Sequence, residues 1–421
     1  MQAMKHSLIA LAVAAASSQL ALAETETKQA EAKGFIDGYS AQVLLRNTYW
    51  NRDMRDGAQD RAAWGQGFIG KFESGFTQGP VGFGVDAFGL LGVRLDGGKG
   101  KAGNRALSDL LAAHGDGSPR DEWGQIGGAV KVRFSSTVLK YGHQMPELPV
   151  LSIDDSRLLP ESFTGTLLTS NEIEGLQIDL GRFTQDSRMA HSSRDPHRLK
   201  SINLGGARYT TANEGTSVAL YASKVEDVYK KYYFGAYQSI GLGEQQALEL
   251  DFNLYHTKDE NSSDKNTIWS LQSTYRTGGH GLILAYQQST GDEGYPYDAG
   301  DGGGTIWLAN SFYSDFNSKK EKSVQLGYSL DFSEYGMEGL SWRSAYVVGQ
   351  QKGTGSTDGK KARERDIYNQ VTYTVQNGSL KDLSFKVRNG IFRASNNHSD
   401  NGSADMQEWR LFVEYPLDLT F

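Results

Sequence analysis

The sequence predicts an all-β protein, a closed antiparallel transmembrane β-barrel of about 18 strands. Three observations lead there. Apolar residues recur at every second position through most of the chain, which is the period of a strand whose side chains point alternately to two faces. The positions between them carry Ser, Thr, Gln, Gly, Lys and Arg, whereas a soluble sandwich or barrel fills its inner face with Val, Ile and Leu. Short connectors that read as hairpin turns alternate with long polar ones, the asymmetry of a barrel with tight turns on one side of a membrane and loops on the other.

The chain opens with MQAMKHSLIALAVAAASSQLALA: Lys5 and His6, an apolar run from Leu8 to Ala16, then Ala21-Leu22-Ala23. A charged start, a short apolar stretch and a small-x-small site read as a secretory signal peptide. Residues 1–23 are expected to be that signal, cleaved after Ala23, and residues 24–421 to form one barrel domain. There is no Cys, so an exported chain of this kind relies on strand pairing and packing alone. Mean hydropathy is −0.51 and no long apolar run follows the signal, which excludes helical membrane spans. It does not exclude strands, since only half of a barrel strand is apolar. A net charge of −7 and a pI near 5.7 argue against nucleic acid as a partner.

The alternation can be followed strand by strand. In 81–95, Val81, Phe83, Val85, Ala87, Leu91, Val93 and Leu95 share one face, against Gly82, Gly84, Asp86 and Arg94. In 268–277, Trp269, Leu271 and Tyr275 oppose Ser270, Gln272, Thr274 and Arg276. The same division runs through 323–332 (Val324, Leu326, Tyr328, Leu330), 367–376 (Ile367, Val371, Tyr373, Val375) and 383–391 (Leu383, Phe385, Val387, Ile391). The closing EWRLFVEYPLDLTF places Trp409, Leu411, Val413, Tyr415, Leu417, Leu419 and Phe421 on one stripe. Hairpin turns are expected near 135, 277, 333 and 377, and long connectors at 96–122, 145–162, 185–200, 258–266, 291–318, 350–366 and 394–405. The best helical candidate is Leu107 to Ala113, inside one of those connectors.

Burying so many charges in a dry core is prohibitive without partners. The apolar stripe is therefore assigned to lipid and the polar stripe to a wet bore, with the terminal strand closing the sheet against GYSAQVLLRN near the start. On that parity Arg46, Lys131, Arg133, Arg343, Lys386, Arg388 and Arg410 all face the bore. Guanidinium groups match carboxylates as a planar fork, and a stripe of one sign in a low-dielectric wall concentrates counter-ions. The competing reading is that these cations brace the wall through carboxylates such as Asp86, Glu73 and Glu414.

EAKGFIDGYSAQVLLRNTYWNRD (31–53), ESGFTQGPVGFGVDAFG (73–89), GGAVKVRFSSTVLKYG (127–142), SRLLPESFTGTLLTSNEIEGL (156–176), LANSFYSDFN (308–317) and EWRLFVEYPL (408–417) resemble the OprD-type family of substrate-specific outer-membrane porins. That resemblance implies a monomeric barrel of about 18 strands in a Gram-negative outer membrane, passing small carboxylate-bearing solutes along a basic column. It also implies two loops folded into the lumen as a constriction, here about 145–162 and 291–318. Asp154, Asp155 and Ser156 are then expected to face the basic column, and Ser311 and Asp315 to lie near the eyelet. Arg182 is a conflict: parity from Leu176, Ile178 and Leu180 puts it on the lipid face, while the matching family position lies at the constriction. A charge at the bilayer midplane costs about 2–4 kcal/mol, so either Gly181 permits a bulge or the strand has left the membrane there; the constriction assignment is adopted for Arg182.

Other motifs carry little. GFGVDA (82–87) fits a loose dinucleotide pattern, but alternation continues through it and no helix follows. HSSRDPH (191–197) reads as a solvated loop rather than a metal site, and DAGDGGG (298–304) falls short of a calcium loop. No cofactor or metal is expected. The reading is a passive channel selective for small carboxylates, including aromatic ones. Its alternatives are a channel for basic amino acids or peptides, an outer-membrane hydrolase, and a receptor acting through its loops.

Overall fold

The computed structural model describes residues 28–55, 57, 59–97, 110–194, 199–297, 306–351, 361–395 and 405–420. The expected signal peptide, Asp195 and His197 of HSSRDPH, the DAGDGGG stretch and Phe421 lie outside the described residues. In chain order the strands are β1 Ser40–Met54, β2 Arg61–Glu73, β3 Val81–Asp96, β4 Glu122–Phe134 and β5 Thr137–Gln144. A two-residue pair follows, β6 Glu147–Leu148 and β7 Leu151–Ser152. Then come β8 Ser162–Ile173, β9 Leu176–Ser187, β10 Ile202–Thr210, β11 Thr216–Val225, β12 Tyr229–Gly243 and β13 Gln246–Asp259. The remainder are β14 Lys265–Thr277, β15 His280–Gly291, β16 Glu321–Asp331, β17 Leu340–Gln351, β18 Ala362–Thr374, β19 Ser384–Ala394 and β20 Met406–Asp418.

All but β6 and β7 belong to one 18-stranded sheet in which each strand pairs antiparallel with its neighbours in the chain. β20 pairs with β1, Phe412 opposite Thr48, which closes the sheet and leaves no edge. The tight turns at 135–136, 174–175, 244–245 and 278–279 each hold a residue at positive φ: Ser135 (52°), Gly175 (74°), Gln245 (57°) and Gly278 (52°). Those are the backbone conformations that short hairpins need. The described part of the expected helix is not helical. Leu107 lies outside the described residues, and Leu110 to Ala113 are non-helical, with Ala113 bridging Pro119.

The two faces separate as the alternation requires. Ile126 (77 % exposed), Leu326 (66 %) and Leu220 (61 %) stand on the outside, while Arg46, Thr48, Trp50 and Arg52 of β1 are buried within. Apolar packing inside the barrel comes from loops laid against the wall. Leu148, Val150, Leu151 and Ile153 of the connector 145–161 pack with Phe163, Phe183, Tyr233 and Tyr255, and Ile306 and Leu308 join them. Leu110, Leu111, Leu158 and Leu159 pack against Trp50, Leu90 and Trp123 on another part of the wall. Leu110, Leu111, Leu151 and Leu158 are all 0 % exposed, and burying one leucine contributes about 1.5–3 kcal/mol. The loops are thus packed as firmly as a core, and they lie across the lumen. Two glycines of β2 make the seat: a Cβ on Gly65 would stand 2.7 Å from Leu158 Cδ2, and one on Gly67 2.8 Å from the Leu158 carbonyl oxygen.

Candidate functional site

Register assembles the basic wall from distant parts of the sequence. On the inner face Arg343 of β17 lies opposite Gln370 of β18, Gln370 opposite Arg388 of β19, Arg388 opposite Arg410 of β20, and Arg410 opposite Trp50 of β1. Three arginines and an indole therefore form one continuous row. Arg388 donates from Nε (3.2 Å) and Nη2 (2.9 Å) to Gln370 Oε1. Its guanidinium lies 5.3 Å from the Tyr368 ring and 5.8 Å from Phe412. Arg343 lies 5.4 Å from Phe312 and 5.9 Å from Tyr368, and its Nε is buried with no hydrogen-bond partner. Neither Arg343 nor Arg388 makes an ion pair among the described residues.

The other wall cations are more fully engaged, all of them except Arg133 by carboxylates. Arg410 stacks 3.8 Å from Trp50, and it shares Glu408 with Arg52, one guanidinium on each carboxylate oxygen. Lys131 Nζ is 2.7 Å from Asp86 Oδ1, and Lys140 Nζ is 2.6 Å from the other oxygen. Arg133 donates to Gln29 Oε1 at 2.9 Å and lies over Phe76 at 4.1 Å. Lys386 Nζ is 3.4 Å from Glu414 Oε2. Arg46 is the most fully engaged. It donates from Nε to Glu414 (2.7 Å), from Nη1 (2.6 Å) and Nη2 (3.1 Å) to Asp155, and from Nη1 to the Arg157 carbonyl (3.1 Å). It fastens the 145–161 loop to the wall.

Of the loop residues expected to face the column, Asp155 alone meets a column cation. Asp154 is turned into the loop root: its N–H donates to Glu161 Oε2 (3.0 Å) and its Oδ1 accepts from the Ser156 N–H (2.7 Å). Ser156 Oγ accepts from Arg157. A loop peptide buried away from water has to satisfy its own backbone, and the Asp154 and Glu161 carboxylates do that work here, while Ser156 holds the Arg157 guanidinium instead of lining the pore. Ser311 and Asp315 do come together, Ser311 Oγ donating to Asp315, which also accepts from the Tyr297 hydroxyl. Burial pushes the Asp154 and Asp315 carboxyls above their ordinary range, with Arg157 opposing the shift at both. One arginine of the first loop therefore acts on carboxylates of both loops.

The constriction assignment for Arg182 is overturned. Asp179 and Phe183 are buried on the inside, so Arg182 between them stands exposed on the outside with Leu180. The register shift of β9 comes after it, where Gly165 pairs with Phe183 and Thr164 with Gln185, too late to turn the side chain inward. Sequence reasoning missed Trp50, Arg52 and Arg157. The first two were readable, because they keep the parity of Arg46 through Thr48. Arg157 gave no signal, since a loop has no parity.

Half-way round the ring, tyrosines dominate the wall. Tyr221 donates to Asp179 (2.7 Å), Tyr233 to Asn253 (2.6 Å), and buried Lys231 to the Tyr295 hydroxyl (2.7 Å). Arginines with aromatic neighbours on one side, hydroxyls on the other and two loops between them suit a small polar solute in transit. They supply weak successive contacts, which conduction needs.

Comparison with known proteins agrees. The model of a family described as outer membrane porin, OprD family, matches residues 33–419. Porin D of Pseudomonas aeruginosa is 41 % identical over 450 residues, covering 100 % of both chains. The crystal structure of Acinetobacter baumannii OccAB1 superimposes with a TM-score of 0.87 at 37 % identity, covering 93 % of this chain and 99 % of that one. Pseudomonas aeruginosa OpdK, solved with vanillate, superimposes with a TM-score of 0.82 at 31 % identity, covering 91 % and 100 %. With its closed barrel, its lumen-folded loops and this match over nearly its whole length, the chain belongs to the OprD family of porins, channels of the Gram-negative outer membrane.

Proposed function

We propose that the channel passes small carboxylates, aromatic ones among them, by passive diffusion and as a monomer, with Arg343, Arg388 and Arg410 as the contact row. The observation that carries this is the unequal compensation of the wall. Arg343 and Arg388 have no acidic partner among the described residues, while the cations around them share carboxylates. The Arg388 guanidinium, held by a neutral Gln370, keeps its charge for a passing carboxylate, with the Tyr368 and Phe412 ring faces beside it and Phe312 beside Arg343. The vanillate in the OpdK structure is an aromatic carboxylate, which supports the same solute class here. Residues 1–23 would direct export and be removed, so that the mature chain starts at Glu24.

The test is the pair Arg343→Gln and Arg388→Gln in planar bilayers and proteoliposomes. Each lost charge-assisted contact removes about 1.5–3 kcal/mol, so benzoate flux should fall roughly tenfold or more. The reversal potential in a KCl gradient should move towards cations. Unchanged benzoate flux with an unchanged reversal potential would end the carboxylate reading, and faster arginine than benzoate uptake by the wild type would favour the basic-amino-acid alternative.

A further inference from the structure

The outer face carries a second basic row, which a pore has no use for. Arg182 of β9 lies opposite Asn203 of β10, and Asn203 opposite Lys224 of β11. Lys224 in turn faces Lys230 of β12, Lys230 faces Lys258 of β13, and Lys258 faces Lys265 of β14. All six side chains are exposed. Direct cross-strand partners share a face, so four lysines stand side by side on four consecutive strands, at the end of the barrel that carries the long loops, where their own strands are joined by the short connectors 226–228 and 260–264.

Like charges placed directly opposite each other destabilise a sheet, and here three such pairs follow in succession. The protein offsets them only in part. Glu260 lies between Lys224 (3.2 Å) and Lys230 (3.6 Å), while Arg182, Lys258 and Lys265 make no ion pair among the described residues. Of the other acids at this rim, Asp227 pairs with Lys200, Glu226 accepts from Ser201, and Asp259 accepts from the Asn261 and Ser262 N–H groups, while Asp264 and Asp292 stand near Lys265 without an ion pair to the row among the described residues.

A second observation fixes the depth of the row. Two residues further along β12 and β13, on the same face, Tyr232 and His256 lie ring against ring at 6.3 Å. Below them Phe234, Phe252, Trp269 and Tyr286 form a chain of aromatic contacts at 5.9, 6.0 and 5.3 Å. Aromatic girdles of this kind mark where a barrel crosses from hydrocarbon to headgroups. The lysines stand just beyond that boundary, where long side chains reach up into the polar layer.

We propose that Lys224, Lys230, Lys258 and Lys265 form a binding site for phosphorylated lipid headgroups of the outer leaflet. The headgroup phosphates supply the missing counter-charge, and the acyl chains lie on the aromatic surface below.

Native mass spectrometry of the full detergent-purified protein tests this, with a bisphosphorylated glucosamine lipid and its dephosphorylated form as probes. The wild type should retain the phosphorylated lipid at least tenfold better. A variant carrying Lys224→Ser, Lys230→Ser, Lys258→Ser and Lys265→Ser should lose that preference with its single-channel conductance unchanged. If the fourfold variant does not fold, Lys258→Ser with Lys265→Ser keeps the Glu260 pairs and should still weaken retention severalfold. Equal retention of both lipids by the wild type, or undiminished retention by a folded variant, overturns the proposal. Inorganic phosphate alone should neither displace the lipid nor raise the unfolding temperature; if it does both, the row is a site for free phosphate and the lipid assignment falls.

Discussion

Arg46 shows what parity reveals about a single residue and what it conceals. That its side chain enters the lumen follows from the alternation of β1. That it is spent on fastening a loop does not, because its partners Asp155 and Glu414 lie 109 and 368 positions away. Breaking a buried pair by removing one partner costs about 3–5 kcal/mol, since the other charges are left uncompensated. Arg46→Ala should therefore lower the denaturation midpoint and raise open-channel noise as the loop loosens, whereas Arg388→Ala should alter selectivity with little loss of stability. Thermal melts beside single-channel recordings separate the two roles. Glu161 at the loop root sets a pH window. Burial, with Asp154 and Asp186 adding to it and Arg188 opposing, pushes its carboxyl up to about 8. A carboxyl raised in the folded state favours folding while protonated. Its contribution is complete below its ordinary value of 4.5 and is lost as pH rises to about 8. The loop should be quietest at acid pH and noisier near pH 8, and Glu161→Gln should flatten that dependence in bilayer recordings.

Strands and loops differ in how openly the sequence declares them. Period-two alternation marks the strands because each one meets two solvents, and it correctly divides residues such as Phe83 from Gly84 and Leu411 from Arg410. At Arg182 that same alternation held, and the analogy set against it failed. The inward fold of residues 145–161 has no period to announce it. Its trace is compositional: Leu148, Val150, Leu151, Ile153, Leu158 and Leu159 are too apolar for a loop that waves in water, and all six are buried. The seat is equally silent, since Gly65 and Gly67 acquire their meaning only when Leu158 arrives from far along the chain. Gly67→Val should unseat that loop without disturbing β2, whose propensity for strand it improves. The expected outcome is a larger conductance with weaker solute discrimination. An unchanged conductance would mean that Gly67 does not seat the loop and that the Arg46 contacts and the other apolar packing hold it without that seat.

For the molecule as a whole, the closed ring turns local register into long-range architecture. β1 meets β20 only because the sheet curls through a full circle, and that contact brings Trp50 and Arg52 beside Arg410 and Glu408. The number of strands and the sidedness of the connectors were readable from spacing, whereas the meeting of the two ends in one site belongs to closure. Closure has a further geometric result. Barrel strands tilt by about 35–45° and neighbours are about 4.8 Å apart, so residues in direct register climb roughly 3 Å per strand. The line from Arg343 through Arg388 to Arg410 is therefore a segment of a screw, and a solute handed along it must rotate as it descends. A screw has a hand. The two mirror forms of 2-hydroxy-2-phenylacetate should cross at unequal rates, and replacing Arg388 by Gln should bring those rates together.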